Sequence, residues 1–255
     1  MVNVLLADMR KLFTSKAFFI ITIAVPTLLI LITTISDLAV RLLDIEVTLY
    51  SDKLLMDFEC RYSAIIIAVI ATFFVGQELR NGVIRNRLVC GCSRIVCFLS
   101  SVITAWIATT FMQLVAYVMS FVFGKVLGES YLDNMYTLKN MALWICASFA
   151  VAIFSVLIVY ICGESNASYV ASGAIAVILY FVINRVNDKL FPQDGIVKIT
   201  GTKLTIYQGI SKYFAFSYLS LPRTYEIRVY VIGCLAMAIL SLVIGCVVFS
   251  RKELK

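Results

Sequence analysis

The chain alternates between long apolar runs and shorter polar segments. Six apolar runs have about the length that crosses a bilayer core of roughly 30 Å. They lie at 17–36, 63–79, 96–123, 141–161, 167–184 and 229–249. The pattern predicts an all-α integral membrane protein, with one transmembrane domain over 1–255 that contains six transmembrane helices.

Composition agrees with this pattern and excludes an ordinary soluble domain. Hydrophobic residues make up 62% of the 255 residues and charged residues only 15%, whereas soluble domains carry about half and about a quarter. The net charge of +7 does not indicate nucleic acid, because Lys and Arg in a membrane protein mark cytoplasmic loops and lipid headgroup contacts.

The first 16 residues predict a separate helix. Apolar residues recur there at helical spacing, at Val2, Leu5, Leu6, Met9, Leu12 and Phe13. Arg10 and Lys11 fall on the opposite side. We expect an interfacial helix with its apolar face in the bilayer and its basic face toward the headgroups. The alternative is a simple extension of the first span.

The segment Gln77 to Arg94, QELRNGVIRNRLVCGCSR, carries four arginines between two apolar runs. It predicts a cytoplasmic connector between spans two and three. Ile84 and Leu88 form the apolar side of a short helix, with Arg80 and Arg87 on another side.

The remaining polar segments are expected outside the membrane. We expect an external loop at 37–62, a shorter one at 124–140, a tight turn at 163–166, and short re-entrant helices in the aromatic-rich segment 185–228. Six spans place both termini on one side. We expect that side to be cytoplasmic, although the count of Lys and Arg does not decide it, since 185–228 alone holds seven.

Three features inside the spans allow two interpretations each. Pro26 kinks span one, either for packing alone or for function. Gln113 in span three either bonds to a neighbouring helix or lines a translocation path. Small residues at spacing four on span five form either a subunit interface or an intrachain contact; they are Ser168, Ser172 and Ala176.

Several chemistries have no residues to support them. The chain has no histidine and no phosphate-binding loop, so we expect no catalytic residues, no metal site and no bound cofactor. The predicted spans also carry no charged residue except at their ends, whereas ion-coupled carriers usually need one inside the bilayer. We therefore expect a partner that hydrolyses ATP.

The chain resembles the ABC-2-type permeases, the membrane subunits of a class of ATP-binding-cassette exporters. The resemblance covers nearly the whole chain and is most specific in the connector. Members commonly show an acidic residue, a Gly-Thr-Ile-Arg-like run, and then a small residue, Ser and Arg. Here these are Glu78, the run 81–85, and the run 91–94. Val83 replaces the usual Thr, and Cys92 stands where Pro is frequent.

The resemblance implies that one chain crosses the membrane and that another chain hydrolyses ATP. ATP and Mg would bind a separate nucleotide-binding subunit, and the connector would be the coupling helix that docks on it. The implied docking residues are Glu78, Arg80, Gly82, Ile84, Arg85, Arg87, Leu88 and Arg94. A second copy, or a related permease, would meet this chain at spans one and five, through Pro26 and the small residues of span five.

The implied location is the cell membrane, and the implied cargo is hydrophobic or amphipathic. Permeases of this length resemble those that export antimicrobial or other amphipathic peptides, including lantibiotic-immunity permeases. A drug or lipid-like cargo is an alternative. A self-standing carrier or immunity protein without an ATPase is another.

Overall fold

A computed structural model describes residues 2–42, 51–126, 134–162, 166–191, 200–220 and 227–251. These ranges are almost entirely helical and contain no β-strand. The helices are α1 (Val2–Thr14), α2 (Lys16–Leu42), α3 (Ser51–Arg80), α4 (Val83–Val89), α5 (Arg94–Val126), α6 (Asn134–Cys162), α7 (Asn166–Leu190), α8 (Thr202–Tyr213), α9 (Ala215–Ser220) and α10 (Ile227–Arg251). The predicted all-α class is confirmed at this level.

Several of these helices suit a membrane. Segments of α5, α6 and α10 are each long and apolar enough to cross one. Two bent pairs, α1 with α2 and the last part of α3 with α4, qualify only when each pair is counted together. The described residues thus contain three to five candidate spans. The last third of α7 is polar and contains Arg185, Asn187, Asp188 and Lys189.

The first two helices are distinct. Between α1 and α2 the axis bends by 59°, and Ser15 interrupts the helix at that point. The Ser15 side-chain oxygen accepts a hydrogen bond from the Phe18 backbone N–H at 3.4 Å, as a helix-capping serine does. The helix α1 is therefore not a simple extension of the first span.

The helices α3, α5, α6, α9 and α10 share the main apolar core. Aromatic rings join them, since Tyr160 of α6 contacts Phe98 of α5 and Phe249 of α10 edge-on, with centroids 5.2 Å and 4.6 Å away. Packing there is tight. A methyl group at Gly245 would lie 2.2 Å from the Phe98 ring. A smaller core joins α1 and α2 to α3 and α5 around Leu12 and Phe18.

The helices extend well beyond the predicted apolar runs. The expectation of an external loop over 37–62 is wrong for most of its length, because α2 continues to Leu42 and α3 begins at Ser51. Ser51 is a residue type favoured at helix starts, and the Leu and Met residues that follow are strong helix formers. Hydropathy identifies the part of a helix that suits lipid, but it does not predict where the helix begins and ends. Positions 43–50 lie outside the described residues.

Two short helices lie within 185–228, between the end of α7 at Leu190 and the start of α10 at Ile227. They are α8 and α9, and Phe214 lies between them in extended backbone. The carbonyl of the Asn187 side chain, on α7, accepts hydrogen bonds from Ser211 at 3.0 Å and Ser217 at 3.1 Å. At Gly233 of α10 an added methyl group would lie 2.8 Å from the Tyr213 carbonyl oxygen. The short helices are thus fixed to α7 and α10.

Candidate functional site

The connector turns sharply at one glycine. Between α3 and α4 the axis bends by 54°, and Gly82 has a φ of 66°, in the left-handed region. An L-residue with a side chain would be disfavoured there by about 1–2 kcal/mol. No described atom lies within 4 Å of the position that a Cβ would take, so the backbone conformation, not crowding, requires glycine.

The helix α4 is anchored by one side and exposed on the other. Ile84 is fully buried in the main core, and Leu88 packs against it, as an anchor requires. Arg80 at the end of α3 and Arg85 on α4 are exposed, and neither forms an ion pair with another described residue. Val89 at the end of α4 is 82% exposed.

Arg87 points away from that exposed face. Its two terminal nitrogens both donate hydrogen bonds to the Asp8 carboxylate of α1, one of them at 3.1 Å. Asp8 is only 2% exposed and also accepts a hydrogen bond from the Ser100 hydroxyl of α5. A buried, bidentate Arg–carboxylate pair thus links the N-terminal helix to the connector.

Glu78 and Lys11 extend the contact. The Lys11 ammonium lies 3.2 Å from the Glu78 carboxylate, and Arg87 lies 3.7 Å from the same oxygen. We call Asp8, Lys11, Glu78 and Arg87 the charge cluster. Its two acids and two bases cancel, so α1, α3 and α4 meet around a neutral set of charges, and Ser100 of α5 contacts it. A small cavity beside it is also lined by Ser101 and Thr104.

This geometry changes the expected role of two docking residues. Glu78 and Arg87 were expected on the docking face, but both are mostly buried and paired inside the chain. Arg94 also makes an internal contact, because its guanidinium donates to the Phe249 carbonyl of α10 at 3.3 Å. The predicted docking residues that remain exposed are Arg80 and Arg85.

The residues that were expected to act inside the spans are not part of the charge cluster. Gln113 faces a small pocket between α5 and α6, but neither of its amide atoms forms a hydrogen bond to a described residue. The expected interhelix hydrogen bond is thus not made there. Pro26 is buried within this chain, and its expected role in a contact with a second copy stays a prediction. The side chains of Ser168, Ser172 and Ala176 lie outside the described set.

Sequence reasoning missed Asp8 and Ser100. A signal for Asp8 was present, because it lies three residues after Leu5 and four before Leu12, within the apolar side of α1. An acid at such a position indicates a buried partner. Ser100 gave no such signal, since serines are common in membrane helices.

Comparison with known proteins adds no identification. No protein-family model and no curated protein sequence matches this chain. The functional conclusion therefore depends on the geometry of the connector and on the resemblance described above.

Proposed function

We propose that this chain is the membrane-spanning subunit of an ATP-driven exporter and is not itself an enzyme. A separate ATP-binding-cassette subunit would bind ATP and Mg and supply the energy. In this proposal the chain crosses the cell membrane six times, has both termini in the cytoplasm, and works with a second copy or a related permease.

The observation that carries the proposal is the construction of the connector. A short helix is fixed to the core by Ile84, and to the N-terminal helix by Arg87, while Arg80, Arg85 and Val89 remain exposed. Arginines needed only to orient a membrane protein require no such fixed support. An apolar tip beside two basic side chains suits an acidic, partly apolar groove on a partner protein.

The charge cluster gives the connector a mechanical role in this proposal. Force applied to α4 would reach α1 through the Asp8–Arg87 pair and α5 through Ser100. Since α1 leads into α2 and α5 lies in the main core, movement of the partner would be transmitted to the membrane helices.

The test uses the full chain with an affinity tag, purified from its own cells in mild detergent. The double variant Arg80→Glu with Arg85→Glu should lose about tenfold or more of the co-purifying ATP-binding-cassette protein, because two charges are reversed. The control is Arg228→Glu, an exposed arginine at the start of α10. Equal recovery with both variants, or no such protein with the unaltered chain, contradicts the proposal.

For the cargo we propose amphipathic peptides. The largely uncharged spans and the aromatic residues of 185–228 support this class. Stimulation of ATP hydrolysis by the reconstituted complex measures it directly. Amphipathic peptides should stimulate more than an uncharged drug or a lipid of similar hydrophobicity, and the reverse order would favour the alternative cargo.

A second candidate function is an ion-coupled carrier, because Asp8 and Glu78 are buried acids of the type that such carriers use. Their pairing with Arg87 and Lys11 favours a structural role. Vesicles that contain this chain alone discriminate the two functions: transport driven by an ion gradient without ATP would establish the carrier.

A further inference from the structure

Buried polar groups without partners gather at one place between α5 and α6. The Gln113 amide, the Thr110 hydroxyl and the Trp144 indole N–H are each shielded from solvent, and none forms a hydrogen bond to a described residue. Such groups are rare in proteins, because each one costs about 1–3 kcal/mol when left unsatisfied. Three in one place indicate that something else completes them.

The three groups share one pocket, which we call the polar pocket. It is lined by Thr110, Gln113, Leu114, Tyr117, Trp144 and Ile145. Trp144 is only 4% exposed, and the Tyr117 ring packs edge-on against it with centroids 6.2 Å apart. The indole is therefore held in place by packing.

The polar pocket lies far from the charge cluster. Gln113 follows Ser100, the α5 residue that contacts Asp8, by about 20 Å of helix rise, and Trp144 precedes Cys162, at the end of α6, by about 27 Å. Gln113 is thus just past the middle of α5, and Trp144 lies in the half of α6 that is remote from the connector. The ligand that the pocket takes is consequently separate from anything bound at α4.

The chemistry of the polar pocket selects a neutral ligand. None of the six lining residues is charged, so an ionic group would enter without a counter-charge and at high cost. The indole N–H only donates, the Gln113 amide donates and accepts, and the Thr110 hydroxyl does both. A hydroxyl or a carboxamide, which also donates and accepts, satisfies all three groups.

The ligand reaches the pocket from the side of the bundle. Leu114 lines the pocket and is 40% exposed on the outer surface of α5, and Val118, one turn further along, is 49% exposed. An apolar chain can lie along these residues while its polar end enters between the helices. Because the pocket is small, it accepts one polar group and not a whole molecule.

We propose that the polar pocket binds the uncharged hydroxyl or carboxamide end of an amphipathic molecule. Two sources carry this chemistry: a neutral membrane lipid, such as a monoacylglycerol, and the amide of a transported peptide. The inference does not depend on an ATPase partner, since it is drawn from α5 and α6 alone.

The test observes the Trp144 indole N–H directly by NMR. The chain has two tryptophans, so Trp106→Phe leaves Trp144 as the single reporter in the full protein in nanodiscs. The probes are monododecanoylglycerol for the lipid source and dodecanamide for the amide source. The controls are dodecane, dodecyl sulfate and dodecyltrimethylammonium, which have the same chain with no polar group or a charged one.

We expect the indole N–H resonance to shift in a saturable way with one or both neutral probes and with none of the controls. A response to one probe alone identifies the source. Gln113→Leu should weaken the response about tenfold, the value of one lost hydrogen bond. The control Gln208→Leu, at an exposed glutamine of α8, should leave it unchanged.

Two results would overturn the inference. One is an equal shift with neutral and charged probes, which indicates nonspecific insertion. The other is an indole N–H that is hydrogen-bonded without any probe and responds to none, which indicates water only. If Gln113→Leu fails to fold, Thr110→Val removes another of the three groups and provides the same comparison.

Discussion

Buried polar groups near the start and near the middle of the helix α5 differ in whether they have partners. Near its start, Ser100 completes a cluster in which each acid faces a base and the charges cancel. Near its middle, Gln113 and Thr110 face a pocket in which their polar atoms remain unsatisfied. A cluster whose polar groups are all hydrogen-bonded fixes helices together, whereas polar groups without partners can bind a ligand. The difference separates a structural joint from a binding site on the same helix.

The largest expected effect comes from breaking the charge cluster at Asp8. Asp8→Asn leaves the largely buried Arg87 without its main partner and should destabilise the folded protein by about 3 kcal/mol. Thermal or denaturant unfolding in detergent measures the change. The matched control is Asp188→Asn at an exposed acid of α7, for which we expect almost no effect.

The double variant Asp8→Asn with Arg87→Gln sharpens this prediction. It removes both charges with little change in volume, so it should be more stable than Asp8→Asn alone. If the second substitution instead adds its own full cost, the two residues do not act as a pair.

Substitution in the polar pocket should change the stability of the folded protein in the opposite direction. Gln113→Leu removes amide atoms that have no described partner and should raise stability in ligand-free detergent by about 1 kcal/mol. The same unfolding assay applies, with Gln208→Leu as the control. A loss of stability as large as that of Asp8→Asn would mean that the amide is hydrogen-bonded, and the contrast between the start and the middle of α5 would disappear.

The smallest effect is expected at the edge of the charge cluster. The Lys11 side chain is 44% exposed, and exposed ion pairs contribute about 0–1 kcal/mol. Lys11→Met should therefore change stability by less than 1 kcal/mol, and the change should shrink further in high salt. A loss that equals the Asp8→Asn effect would show that the four charges act as one unit.

The sequence predicted the helical class and the position of the connector well. Apolar periodicity decides both, because long apolar helices and a short anchored helix are the structures that bury such patterns. It underestimated helix length at 37–62, where α2 and α3 continue outside the apolar runs. Hydropathy alone does not detect such extensions.

The sequence predicted the candidate site only in part. It identified Ile84 as an anchor, but it placed Arg87 on the docking face. One arginine on a short helix looks like another in the sequence, and only the fold reveals that Asp8, nearly eighty residues away, faces Arg87. The polar pocket was equally hidden, because Gln113 was recognisable as polar but its lack of a partner depends on the placement of α6.

The central claim is that the exposed side of the connector contacts an ATP-binding-cassette protein. The most direct measurement places a photo-crosslinking amino acid at position 85 in the full chain, in its own cells, and identifies the product by mass spectrometry. We predict a crosslink to an ATP-binding-cassette protein from position 85 and none from position 228. The absence of that crosslink from position 85, or the same products from both positions, would contradict the account.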